Sequence, residues 1–305
     1  MKKKILTICL CVVFTSSVAF ADIFGSGANQ FEINFVDISG DTNPASGYGI
    51  VNNDYRMGMY EITNDQWNKF QDSYGTVTGN PSIAYDENAY WTGTDVPTNM
   101  LSWYEGAQFI NWLNTSTGHQ EAYKFTGTLG TSDYTFAAWE SGDAGYDVSN
   151  PFRNSNAYYF LPTEDEWVKA AYWNGTSLQT YATIDDSIPV EGVDTNYDMS
   201  IGQPWVVGRG SEELNGTFDM MGNVMERIES PYYSGDYGTG SFRVLRGGSY
   251  GDLGTIGSYL ASSYRSFEDY MPSEKRAIGF RVASVPEPAT LLLFGLGGLT
   301  LRRRK

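Results

Sequence analysis

Beyond residue 11 this 305-residue chain contains no cysteine; its only two are Cys9 and Cys11. If that leading segment is lost on export, the remainder can form no disulfide, offer no thiol nucleophile and hold no thiolate-bound metal. Histidine is almost as scarce. The single His119 cannot by itself supply a nonheme iron ligand set. A Ser-His-Asp relay would also depend on it, and no serine stands in a nucleophile-elbow context. Just after Gly118, it reads as the exposed end of a helix. Positive charge is short too, with 20 Lys and Arg against 36 Asp and Glu. Residues 22–285 alone carry 13 against 35, a formal charge of −22. Such a surface repels nucleic acid and anionic membranes, attracts divalent cations or basic partners, and favours solubility outside the cell.

The two ends are the most legible parts. Lys2, Lys3 and Lys4 precede an apolar stretch that closes on the small-residue site Ala19–Phe20–Ala21. This is the pattern of a secretory signal over 1–21, with the exported chain starting at Asp22. The alternative, an N-terminal anchor, fits a longer apolar run than this one. At the far end, Val285–Pro286–Glu287–Pro288 leads into the apolar run Ala289–Leu301 and then Arg302, Arg303, Arg304 and Lys305. Thirteen apolar residues fall short of the ~20 that a full span takes, and the trailing cations favour the cytoplasmic side. Residues 22–284 therefore form one domain, and 285–305 a sorting or anchor segment. With 22 Tyr, 16 Phe and 8 Trp, the chain can fill a substantial core.

Within the domain, Phe31, Ile33, Phe35 and Ile38, then Tyr55, Met57 and Met59, alternate as edge strands do. Three capping boxes predict helix starts: Thr63 with Gln66, Ser102 with Glu105, and Thr163 with Glu166. The first helix runs through Trp67 and Phe70. The second carries Trp103, Ala107, Ile110 and Leu113 and stops by Gly118. The third runs through Trp167, Ala170 and Ala171 to Asn174–Gly175. Strand-like pieces fall at 122–125, 134–138 and 158–160, and residues 71–98 read as loop. From Gly192 onward the pattern is glycine-punctuated loops and short apolar strands. No fixed period links the helix starts, so they are not repeats. The class is α+β, with few helices, many short strands and high loop content.

The densest motif is Phe218–Asp219–Met220–Met221–Gly222–Asn223–Val224–Met225–Glu226. It is followed by Arg243–Val244–Leu245–Arg246–Gly247–Gly248–Ser249 and by Ile278–Gly279–Phe280–Arg281–Val282–Ala283. With Tyr60–Asn64, Asn99–Trp103 and Leu161–Trp167 upstream, these six ordered blocks resemble the sulfatase-modifying factor, or formylglycine-generating enzyme, family. The resemblance implies the C-type-lectin-like formylglycine-generating-enzyme fold. The order Pro-Glu-Pro, apolar stretch, basic cluster resembles the PEP-CTERM sorting signal of Gram-negative bacteria, read by an exosortase. It implies export to the cell surface or extracellular matrix, with cleavage near Pro286–Glu287–Pro288 and transient membrane anchoring through the C-terminal segment.

The family's oxidase holds copper on two cysteines five positions apart, which fall here on Asp252 and Gly257. Copper(I) selects soft thiolates, so that chemistry is not carried by these residues. Nonheme iron, used by other members, lacks its histidines. Calcium suits the donors better. The resemblance implies a site at Asn223, Glu226 and backbone carbonyls such as that of Val224, and another near Asn196–Tyr197; the bland alternative is that Asn223 and Glu226 cap one tight turn. The family's Trp-Glu-Trp is Met225–Glu226–Arg227 here, which puts the surrounding groove in doubt. Arg246, Arg265 and Arg281 sit in matched blocks, either to orient a carboxylate or peptide ligand or to pair internally with acids. Tyr232, Tyr233, Tyr237 and Tyr250 stand among Gly, Ser and Asp as an exposed patch compatible with a sugar or peptide. Two functions remain open: a binding or structural module for an extracellular protein, peptide or polysaccharide, and a divergent enzyme acting on an extracellular protein.

Overall fold

The computed structural model describes residues 20–253 and 258–286. Each capping box starts a helix: α1 over Asn64–Tyr74, α2 over Trp103–Ser116 and α3 over Glu164–Tyr172. In all three the cap hydroxyl accepts the N3 amide, and the N3 side chain accepts the cap amide in return. Helix α3 stops short of the expected Asn174–Gly175. Trp173 leaves the helical region (φ −84°, ψ 116°) and bridges to Leu178, so the chain turns two residues early.

The strands are β1 (Phe20–Phe24), β2 (Phe31–Ile38), β3 (Tyr55–Gly58), β4 (Lys124–Thr126), β5 (Thr135–Ala137), β6 (Tyr159–Phe160), β7 (Met225–Pro231), β8 (Phe242–Arg246), β9 (Ser266–Tyr270), β10 (Ile278–Phe280) and β11 (Ala283–Ser284). They form a five-stranded sheet ordered β1-β2-β3-β11-β6, a four-stranded sheet ordered β10-β7-β8-β9, and a β4–β5 ribbon. Strand β10 runs parallel to β7; the other paired strands are antiparallel. The last strand thus sits inside the first sheet, and β6 joins that sheet only through it.

Helix α2 is the pivot. Every residue from Trp103 to Asn114 is buried, because aromatic side chains pack on it from several sides. Phe109 meets Phe31, Trp67, Phe70 and Phe280, and Trp103 meets Tyr123 and Phe136 edge-on at 4.9 and 5.0 Å. A second apolar cluster gathers Trp167, Val168, Met220, Met221, Ile228 and Val244 between α3 and the four-stranded sheet. Asn223 and Glu226 do not share one loop. Pairing of Ile278 with Met225 and of Gly279 with Glu226 draws Glu226 into β7, while Asn223 stays in the turn at φ +55°.

Candidate functional site

The glycine-rich turn before β7 is shaped by close backbone approach. A side chain at Gly222 would meet the Asn196 carbonyl oxygen at 2.4 Å, and the residue holds φ +77°. Beneath the turn lies a buried arginine. Arg281 donates to Glu226 at 2.5–2.8 Å and to the carbonyls of Gly58 and Phe218 at 3.0 and 2.9 Å. Trp167 Nε1 donates to Glu226 as well, at 2.7 Å. Three further buried carboxylates surround this pair. Glu61 accepts from Asn223 Nδ2 (2.9 Å) and the Val224 amide (3.3 Å). Asp219 accepts from Trp205 Nε1 and the Gly208 amide, and Glu213 from the amides of Met220 and Met221. Burial pushes the Glu213 carboxyl up to about 8 and raises those of Glu61 and Asp219. One guanidinium faces four acids, and of these Glu213 is the carboxyl whose burial holds its proton up to about 8.

Of the expected cation donors, Glu226 is taken by Arg281, and Asn223 Oδ1 accepts the Trp205 amide at 2.9 Å. Tyr197 is buried, its hydroxyl donating to the Pro189 carbonyl. Val224, expected to offer its carbonyl, instead donates its amide to Glu61. Asn196 differs. Its Nδ2 donates to the Gln203 carbonyl, but its buried Oδ1 meets no hydrogen-bond donor. At the copper-cysteine positions, Asp252 accepts from the Ser249 amide and hydroxyl, while Gly257 lies outside the described residues. His119 is exposed and stacks on Tyr158 at 4.4 Å.

Arg246 and Arg265 converge on one acid. Both donate to Glu164 Oε1, Arg246 at 2.5–2.9 Å and Arg265 at 2.8 Å. Arg246 is 1% exposed and also serves the carbonyls of Ser262 and Tyr264, so it faces inward. The Arg265 side chain stays 21% exposed, with Tyr48 and Tyr232 against its guanidinium. Tyr250 departs from its expected place on the exposed patch. It is 3% exposed, packed edge-on against Trp91, whose Nε1 donates to its hydroxyl.

Beside Glu164 a cleft of about 440 Å³ opens between residues 50–53, residues 147–155, the start of α3 and the end of β7. Its floor is Arg153, stacked on Phe160 at 3.9 Å and held by Glu166 at 3.2 Å and Glu229 at 3.4 Å. Asn150 and Tyr123 also donate to Glu229, which is buried behind the floor. Asp165 accepts the Gly49 amide, Asp147 accepts from Ser149, and the Tyr237 hydroxyl donates to the Ser149 carbonyl. Sequence reading missed this cleft. Of its residues only Thr163, Glu166 and Tyr237 carried a signal, as the two members of a capping box and a surface aromatic, because the walls come from segments over 100 positions apart.

Among the described residues, three α-helices, two sheets, a β-ribbon and long ordered loops packed around buried arginine–carboxylate pairs define an α+β, C-type-lectin-like protein. Residues 24–285 match the sulfatase-modifying factor enzyme 1-like domain, so the chain belongs to that family. Residues 284–305 match the PEP-CTERM protein-sorting motif, which marks a surface-sorted protein of Gram-negative bacteria processed by exosortase-type machinery. No curated protein matches the sequence. Among solved structures, Treponema denticola variable protein 1 is similar at 22% identity and TM-score 0.59, covering 89% of this chain and 100% of its own. CarF is similar at 20% identity and TM-score 0.59, covering 84% and 99%. PvdO from Pseudomonas aeruginosa is similar at 14% identity and TM-score 0.55, covering 87% and 98%. At these identities the likeness is one of fold.

Proposed function

We propose that this exported, surface-sorted protein is a binding module whose ligand, a polysaccharide of the extracellular matrix, lies in the Arg153 cleft. The observation that carries this reading is the pairing of the charged groups that line the cleft. Arg153 is held by Glu166 and Glu229, Asp165 by the Gly49 amide, and Asp147 by Ser149. Groups so committed present fixed hydrogen-bonding edges and are poor nucleophiles or bases. Ile50, Val51, Pro231 and Tyr237 add the apolar faces that a sugar ring packs on. The volume lies within the ~300–1,000 Å³ typical of ligand pockets. Arg265, with Tyr48, Tyr232 and Tyr233, extends the same surface next to Glu164.

Copper-dependent oxidation on two thiolates does not fit these residues, since the chain has no cysteine after residue 11. A structural calcium at the turn, as the resemblance implies, is supported by one side-chain oxygen, the buried Asn196 Oδ1 that no hydrogen-bond donor meets, and would need backbone carbonyls to complete its oxygen shell. Glu226 is not part of that set, being neutralised by Arg281.

The binding reading is tested by co-sedimenting the purified protein with exopolysaccharide extracted from the producing cells. Retention is expected, weakened about tenfold, or ~1.4 kcal/mol, by Tyr237→Ala at the rim. No retention, or retention indifferent to Tyr237→Ala and Asp147→Asn, would overturn the assignment of the cleft.

A further inference from the structure

The last described strand, β11, lies inside the five-stranded sheet between β3 and the edge strand β6. Ala283 pairs with Met57 on one side and Phe160 on the other, and Ser284 with Arg56 and Tyr159. Both residues are 0% exposed. The Val285 amide donates to the Tyr158 carbonyl at 2.9 Å. The Val285 carbonyl accepts Arg56 Nε at 3.2 Å, and the same nitrogen donates to Ser284 Oγ at 2.9 Å. The far edge of that guanidinium grips Asp22 with two bonds of 3.0 and 2.6 Å, and the Tyr159 hydroxyl donates to Asp22 at 2.8 Å. Arg56 itself is 1% exposed. One buried arginine therefore ties residue 22 to residues 284–285, where the sorting motif begins. Pro286 is exposed; Glu287 and Pro288 lie outside the described residues.

An endopeptidase of the sorting type takes its substrate as extended chain through main-chain N–H and C=O groups. On the N-terminal side of Pro286–Glu287–Pro288 those groups are committed to the sheet and to Arg56. One residue spans at most about 3.6 Å, so Pro286 adds no slack between sheet and cut site. Undocking β11 breaks its pairing with two strands and strips a buried guanidinium of acceptors, which makes the open state rare.

We propose that β11 holds residues 283–285 away from the sorting endopeptidase in the folded domain, and that the endopeptidase cuts only while β11 is undocked. Arg56 is then a positioning residue for processing, setting how often the cut site becomes available. This rests on the Pro-Glu-Pro motif being a cut site, and the test separates the two ideas. In cells carrying an exosortase, the full chain is compared by pulse–chase with one bearing about eight Gly and Ser residues between Val285 and Pro286. Such a spacer adds roughly 15 Å of flexible reach without touching the core. The spacer precursor is expected to disappear several-fold faster, and so is Arg56→Lys, whose folding is checked by near-ultraviolet circular dichroism. Equal half-lives for the native and spacer chains overturn this hold by β11. If neither chain is cut, the processing reading falls and the proposal with it.

Discussion

Arg281 shows what a single buried charge asks of its neighbours. Glu226 pairs with it directly, while Glu61, Asp219 and Glu213 hold positions that backbone and side-chain N–H groups stabilise. Removing one partner of such a pair typically costs ~3–5 kcal/mol, because the other charge is left buried. The raised carboxyls make stability depend on pH. Glu213 in the folded protein binds its proton more tightly than in the unfolded chain, so its contribution is full below its ordinary 4.5 and is lost as pH rises toward about 8. The melting temperature should therefore fall across that window. Glu213→Gln, neutral throughout, should flatten the fall by on the order of 5 °C, as ~2 kcal/mol does in a domain of this size. A melting curve as steep in Glu213→Gln as in the native protein would place the titration elsewhere.

The helices were the elements most legible in the sequence, because capping is local chemistry. Thr63, Ser102 and Thr163 each sit three residues before a Gln or Glu, and each starts a helix. Thr163→Ala should cost about 1 kcal/mol in chemical denaturation. It removes the hydroxyl that accepts the Glu166 amide, while the residue-163 amide still donates to the Glu166 carboxylate; its effect should exceed that of Thr63→Ala because α3 is the more buried helix. Strand boundaries were less legible. Glu226 looks like a turn residue beside Gly222 and Asn223, yet β10 arrives from more than 50 positions away and pairs it into β7. The cleft was illegible for the same reason. Arg153 lies in a polar loop whose sequence has no period, and only the fold sets it between Glu166 and Glu229. Tyr250 misleads in the opposite way: Gly and Ser flank it, but Trp91 covers it.

At the scale of the molecule, charge and metal meet. Residues 22–285 carry a formal −22, which favours uptake of a divalent cation wherever the geometry allows. If calcium sits at Asn196, chelation should lower the melting temperature by several degrees, and Asn196→Ala should abolish the difference between chelated and calcium-loaded protein. Equal melting temperatures in the native protein with and without chelator would remove calcium from the turn. The five-stranded sheet has a consequence of another kind. Strand β6 meets β3 only through Ala283 and Ser284, close to the end of the chain. A polypeptide threading through a membrane channel from its N-terminus lacks that join until residues 283–284, the last described strand, have crossed. Loops that close between distant residues are slow to form. The topology thus delays closure of that sheet until the last strand of the domain is available.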